Sequence, residues 1–152
     1  MTLKHQVTEF MTAFDQPRRA TPGVPDDATV RLRLRLIAEE MFELIAAALD
    51  SSDEAAGGAI RSVQSLTMTI IDHAPVGVDL PEFADACADL DYVVEGTRQA
   101  FGIDGRPIAA EVHRANMAKV GGPVDEHGKK RKPAGWQPPD IEGELRKQGW
   151  RP

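Results

Sequence analysis

From Leu34 to Leu49 the chain reads LRLIAEEMFELIAAAL. It contains no Gly and no Pro, and it never alternates apolar with polar residues as a half-buried strand would. At about 100° per residue, Leu34, Ile37, Met41, Phe42, Leu44, Ile45, Ala48 and Leu49 cover one broad arc. Glu39, Glu40 and Glu43 share the narrower arc opposite. A segment patterned this way is a helix or nothing regular.

The rest of the chain follows the same rule. Leu3, Val7, Phe10, Met11 and Phe14 fall on one helical stripe. The connector DQPRRATPGVPDD is too rich in Pro and Gly to continue it. Asp26 or Asp27 then caps a second helix running to about Asp50. A third helical pattern spans Asp53 to about His73, weakened by Gly57-Gly58. After the turn APVGVD, Asp79 or Leu80 opens a fourth helix reaching about Phe101, with Pro81 near its first position. A fifth runs from Pro107 to about Lys119. Residues 120–152 are rich in Gly, Pro and Lys and read as an extended tail with one late turn of helix. No stretch shows strand alternation, and aromatics make up only 5% of the chain. The expected fold is all-α: one domain over residues 1–152, a bundle of about five helices.

Charge and cysteine content narrow the function classes. A net charge of -6 over 152 residues does not suit a chain built to coat nucleic acid or an anionic membrane. Cys87 is the sole cysteine, so no internal disulfide forms, which fits a reducing compartment. No signal-peptide core and no membrane-length apolar run is present. The expected location is the cytoplasm.

The acidic arc carries the chemistry. A solvated helix face normally mixes charge signs; within Leu36–Asp50 there is no Lys or Arg. Like charges within a turn repel one another unless a cation sits among them. The fourth helix repeats the pattern, with Asp85 and Asp89 at i,i+4 and Glu82 a turn earlier. Asp91 and Glu95 lie on a different face, where Arg98 reaches Glu95. Carboxylates from two helices form the oxygen-only donor set suited to Mg²⁺ or Mn²⁺. Neither acidic helix has the Glu-x-x-His of a di-iron bundle, and zinc would want more Cys or a His-Glu-x-x-His. A plain solvated acidic face is the bland alternative.

Four segments, in order, resemble one family. EEMFE (Glu39–Glu43) fits the EExxE motif of the all-α, MazG-like nucleoside triphosphate pyrophosphohydrolases. ADACADLDYVVEGTRQAFGID resembles their second metal-binding helix. EVHRANMAK and HGKKRKPAGWQPPDI resemble the Asn-x-x-Lys segment and the basic tail of the branch related to phosphoribosyl-ATP pyrophosphohydrolase and the MazG-like dUTPases. The likeness extends from about Val7 to Ile141. One departure stands out: the family's second motif is commonly Glu-x-x-Asp, and here Asp89 fits the Asp while Ala86 occupies the Glu position. Asp85 is the expected substitute, with Glu82 in reserve.

The resemblance implies cleavage of a (d)NTP into a monophosphate and pyrophosphate, with two or more Mg²⁺ or Mn²⁺ ions. Glu40, Glu43, Asp85 and Asp89 would be metal ligands. Glu39 would bind a further ion or accept a proton from the attacking water. Asn116, Lys119, Lys129 and Lys132 would hold sugar and phosphates, the last two from a tail acting as a lid. The bundle would be completed as a homodimer or homotetramer, and the nucleotide would be dUTP or a purine nucleotide such as dGTP. A non-catalytic helical module binding a metal or a partner through the acidic groove is the rival from another class.

Overall fold

The computed structural model describes residues 1–50, 53–123 and 132–152. They form six helices: α1 (Leu3–Ala13), α2 (Asp27–Ala48), α3 (Glu54–His73), α4 (Leu80–Ala100), α5 (Gly105–Met117) and α6 (Ile141–Lys147). No strand occurs among the described residues, and none of their helices is long and apolar enough to cross a membrane. The all-α expectation holds, with one helix more than the pattern suggested.

Aspartates start most of these helices. Asp26 accepts from the Thr29 N–H at 2.7 Å, Asp53 from Ala56 at 2.8 Å, Asp79 from Glu82 at 3.3 Å and Asp140 from Gly143 at 2.9 Å. Each satisfies an amide that has no partner in the helix's first turn. Asp104 caps α5 through the Arg106 N–H at 3.0 Å. That helix therefore begins at Gly105, two residues before the expected Pro107. Pro107 falls inside the first turn, where a missing N–H costs nothing.

The chain divides into two compact units, residues 21–84 and residues 1–20 with 85–152. In the first, α2 packs along α3. Val30, Ala38 and Phe42 are the buried side of α2, while Ile37, Met41 and Leu44 stay exposed. The broad apolar arc is thus split into a covered stripe and an open flank. Arg31 donates to the carbonyls of Ile71 and, at 2.8 Å, Ala74, oxygens at the end of α3 where the helix offers few partners. One turn on, Arg35 forks onto Asp72, its Nε 2.7 Å from Oδ1 and its Nη2 on Oδ2. α3 runs unbroken through Gly57-Gly58, and Gly57 is buried, which offsets part of the helix-propensity cost of glycine.

In the second unit α5 packs on α1 and α6. His113 Nε2 lies 3.3 Å from Glu9 Oε2 of α1. Ala115, only 1% exposed, is the most deeply buried apolar residue described. The C-terminal residues fasten to α5. Trp136 Nε1–H donates to the Ala115 carbonyl at 2.7 Å, the Asp140 N–H donates to Glu111 at 2.9 Å, and Arg114 donates to the Pro138 carbonyl at 3.2 Å. Gln148 accepts from the Asp104 N–H at 2.8 Å and donates back to its carbonyl at 3.2 Å. The described part of the tail is therefore docked, and its late turn is a seven-residue helix.

Candidate active site

Glu39, Glu40 and Glu43 project from the middle of α2 and all three are exposed. Glu39 and Glu43 border the Ala38–Phe42 stripe that faces α3: Glu43 lines a cleft with Phe42, Gly57, Ile60, Arg61 and Gln64, and Glu39 stands one turn from Arg35, which is bound to Asp72 of α3. Neither Glu40 nor Glu43 makes a hydrogen bond or ion pair with a described residue. A basic residue does lie close by: Arg35, four residues before Glu39, and the Glu39 charge adds to the field that raises its pKa. The main cause of that rise is Asp72, which takes the guanidinium in both hydrogen bonds, and Arg35 in turn holds the Asp72 carboxyl below its usual range.

Asp85 and Asp89 are exposed one turn apart on α4, in the other unit. Glu95, on that helix's other acidic face, is paired with Arg98 at 3.2 Å, as its position suggested. Cys87 is half-buried. Among the described residues no three His, Cys, Asp or Glu side chains come together as a ready-made metal cage.

Asn116 and Lys119 are brought together on α5 and the turn after it, with Lys119 Nζ donating to Asn116 Oδ1 at 2.8 Å. Lys132 reaches the same place from the tail: its Nζ lies 4.2 Å from the centre of the Trp136 ring, and Lys119 Nζ lies 5.4 Å from it. Lys129 lies outside the described residues. Trp136 was not among the expected site residues. Its only mark in the sequence is that it is an aromatic in a basic, Pro-rich stretch.

A pocket of about 290 Å³ opens between α1 and α5, within the same unit. Leu3, Val7, Phe10, Ile108 and Val112 form its apolar wall, and Gln6, Arg98, His113 and Asn116 also line it. Gln6 is 5% exposed and is the one buried polar residue among those described. The sequence gives no hint of its role, since a Gln in an amphipathic helix ordinarily faces water. A carboxamide carries one donor pair and one acceptor.

Glu111, on α5, holds the tail in place through Arg114 and the Asp140 N–H. Its carboxyl is pulled down to about 2, chiefly by the Arg114 guanidinium and next by the Asp140 N–H.

With the geometry in place, comparison with known proteins adds three findings. The profile of the phosphoribosyl-ATP pyrophosphohydrolase family matches residues 7–116. A search of curated proteins found no match. Among solved structures, a candidate NTP pyrophosphohydrolase from Exiguobacterium sp. 255-15 superposes with a TM-score of 0.70 at 24% identity, covering 98% of this chain and 96% of that one. At that identity the structural match speaks for the fold.

Proposed function

Because the chain belongs to the phosphoribosyl-ATP pyrophosphohydrolase family and is a pyrophosphohydrolase of the MazG-like kind, we propose that it splits a nucleoside triphosphate between its α and β phosphates. The observation that carries the reading is the trio of carboxylates on α2, two of which have no described protein partner. Oxygen-only donors of this charge fit Mg²⁺ or Mn²⁺, and Glu40, Glu43 and Asp89 would hold the ions, with Asp85 completing the set. When bound, such ions neutralise phosphate charge and make water a better nucleophile.

The protein's own residues do the remainder. Glu39, at the edge of the trio, takes a further ion or the proton of the attacking water. Lys119, Lys129 and Lys132 hold the phosphate chain, and Asn116 holds the sugar or a phosphate. The pocket beside Asn116 suits a base against its apolar wall. Uracil and guanine each present a ring N–H beside a carbonyl, the complement of the Gln6 carboxamide, so dUTP and dGTP are the two substrates to compare. The partly exposed apolar flanks of α2 and α3 support assembly as a homodimer or homotetramer.

A nucleotide panel with Mg²⁺ or Mn²⁺, read by pyrophosphate release, tests this. We expect one deoxynucleotide to dominate and EDTA to abolish turnover. Absence of pyrophosphate release from every nucleotide would overturn the reading in favour of a non-catalytic helical module.

A further inference from the structure

Arg35 stands four residues before Glu39 on α2, the spacing at which an ion pair forms along a helix. Its guanidinium turns instead to α3, where Nε donates to Asp72 Oδ1 at 2.7 Å and Nη2 donates to Asp72 Oδ2. Glu39 still acts on it, since the Glu39 charge is among those that raise the pKa of Arg35. Two carboxylates thus compete for one cation. The pair within the helix is the weaker, and weaker again because the cation comes first in sequence. A two-pronged, charge-assisted fork is the stronger. One turn earlier Arg31 donates to the carbonyls of Ile71 and, at 2.8 Å, Ala74, so the end of α3 that carries Asp72 is itself fastened to α2.

We propose that Asp72 is a positioning residue for the acidic site: it keeps the Arg35 guanidinium on α3 and so leaves the Glu39 carboxylate open to a divalent cation. This rests on the reading that Glu39 serves the metal-dependent reaction. Asp72 touches neither metal nor substrate. Without its carboxylate, Arg35 is left with Glu39 one turn away on its own helix, and a guanidinium seated there competes with the cation for the same oxygens.

The test is Mn²⁺ binding to the full chain without nucleotide, read from the electron paramagnetic resonance signal of the free ion. Asp72→Asn should weaken binding about two- to fivefold, the scale of an exposed ion pair. Asp72→Glu, which keeps a carboxylate for Arg35, should stay within about twofold of native. Asp72→Asn combined with Arg35→Gln leaves no guanidinium to close on Glu39, so affinity should return to within about twofold of native, and Arg35→Gln alone should shift it by less than about twofold. A double variant as weak as Asp72→Asn overturns the proposal, since that is what lost packing between α2 and α3 would do. Equal and opposite shifts in the two single variants also overturn it, because net charge alone would explain them. Glu39→Gln separates the proposal from the reading beneath it. If it changes neither Mn²⁺ affinity nor turnover, the reading of Glu39 fails. If it lowers turnover but not Mn²⁺ affinity, Glu39 handles the proton and the proposal is overturned. If it weakens Mn²⁺ while Asp72→Asn does not, only the role of Asp72 fails. Should Asp72→Asn not fold, Arg35→Lys decides. A single ammonium cannot form the fork, so it divides between Asp72 and Glu39 and weakens Mn²⁺; native affinity in that variant overturns the proposal.

Discussion

Glu43 is exposed on α2 with no described partner, so its charge supports no structural interaction there. Glu43→Gln keeps the side chain's size and removes that charge. Turnover should fall at least about a hundredfold, since metal-assisted phosphate chemistry depends on the ligand charge, while the melting temperature should hold or rise as repulsion with Glu39 and Glu40 is relieved. Near-native turnover in a steady-state assay would remove Glu43 from the ligand set. Glu111 makes the opposite forecast, because its charge holds structure together. Its folded carboxyl titrates at about 2 against an ordinary 4.5, so its contribution is complete above about 4.5 and is lost as pH falls from there toward 2. The contacts it holds are those of Arg114 and the Asp140 N–H. Acidification across that window should therefore release the tail, seen as a lower protection factor at the Asp140 amide once the intrinsic exchange rate at each pH is divided out, and Glu111→Gln should loosen the tail already at neutral pH. An Asp140 amide equally protected in the variant would show that other contacts suffice.

α2 shows both what was legible in the sequence and what was not. Its periodicity and its Asp26 cap follow from local spacing, and the structure agrees on both. Which part of its wide apolar arc would be covered depends on where α3 lies, a tertiary fact that no single-helix pattern contains. The same limit hid Arg35. It stands one turn before Glu39, yet its engagement by Asp72 spans 37 residues. Gln6 and Trp136 escaped for a related reason: one is polar on a polar-looking stretch, the other lies in a tail with no periodicity, and only their contacts with α5 mark them. A Phe42→Ala substitution tests the covered stripe. Phe42 is 6% exposed, and its truncation should cost about 3–5 kcal/mol in denaturant unfolding. Leu44→Ala, on the open flank, should cost far less in the dissociated chain. Equal costs would mean that the stripe and the flank are not distinct.

Few large side chains are buried among the described residues. Among the described residues the buried apolar set is Val30, Ala38, Phe42 and Ala115, and no residue of α4 is buried. A chain of about 150 residues normally withdraws roughly 70% of its unfolded surface from water, so a set this small points to apolar faces that find their cover elsewhere. On α3, Val63, Leu66 and Ile70 form one stripe at i, i+3 and i+7 and are 55%, 61% and 56% exposed; spacing of this kind is the seam one helix offers to another. A second copy of the chain is the occupant that the proposed dimer or tetramer supplies, and it would cover the same stripe on both copies by symmetry. Each Leu or Ile fully withdrawn from water contributes about 1.5–3 kcal/mol. The pair Leu66→Glu and Ile70→Glu loses that contribution and sets carboxylates against their symmetry mates, so subunit affinity should drop at least about a hundredfold. Sedimentation should find the native chain at the mass of two or four copies and the double variant at the mass of one. A native chain that sediments as a monomer at micromolar concentration while turning over nucleotide would rule out assembly as a condition for activity. An unchanged mass in the double variant would move the interface away from α3, to α4 with its exposed Leu90, Val93 and Val94.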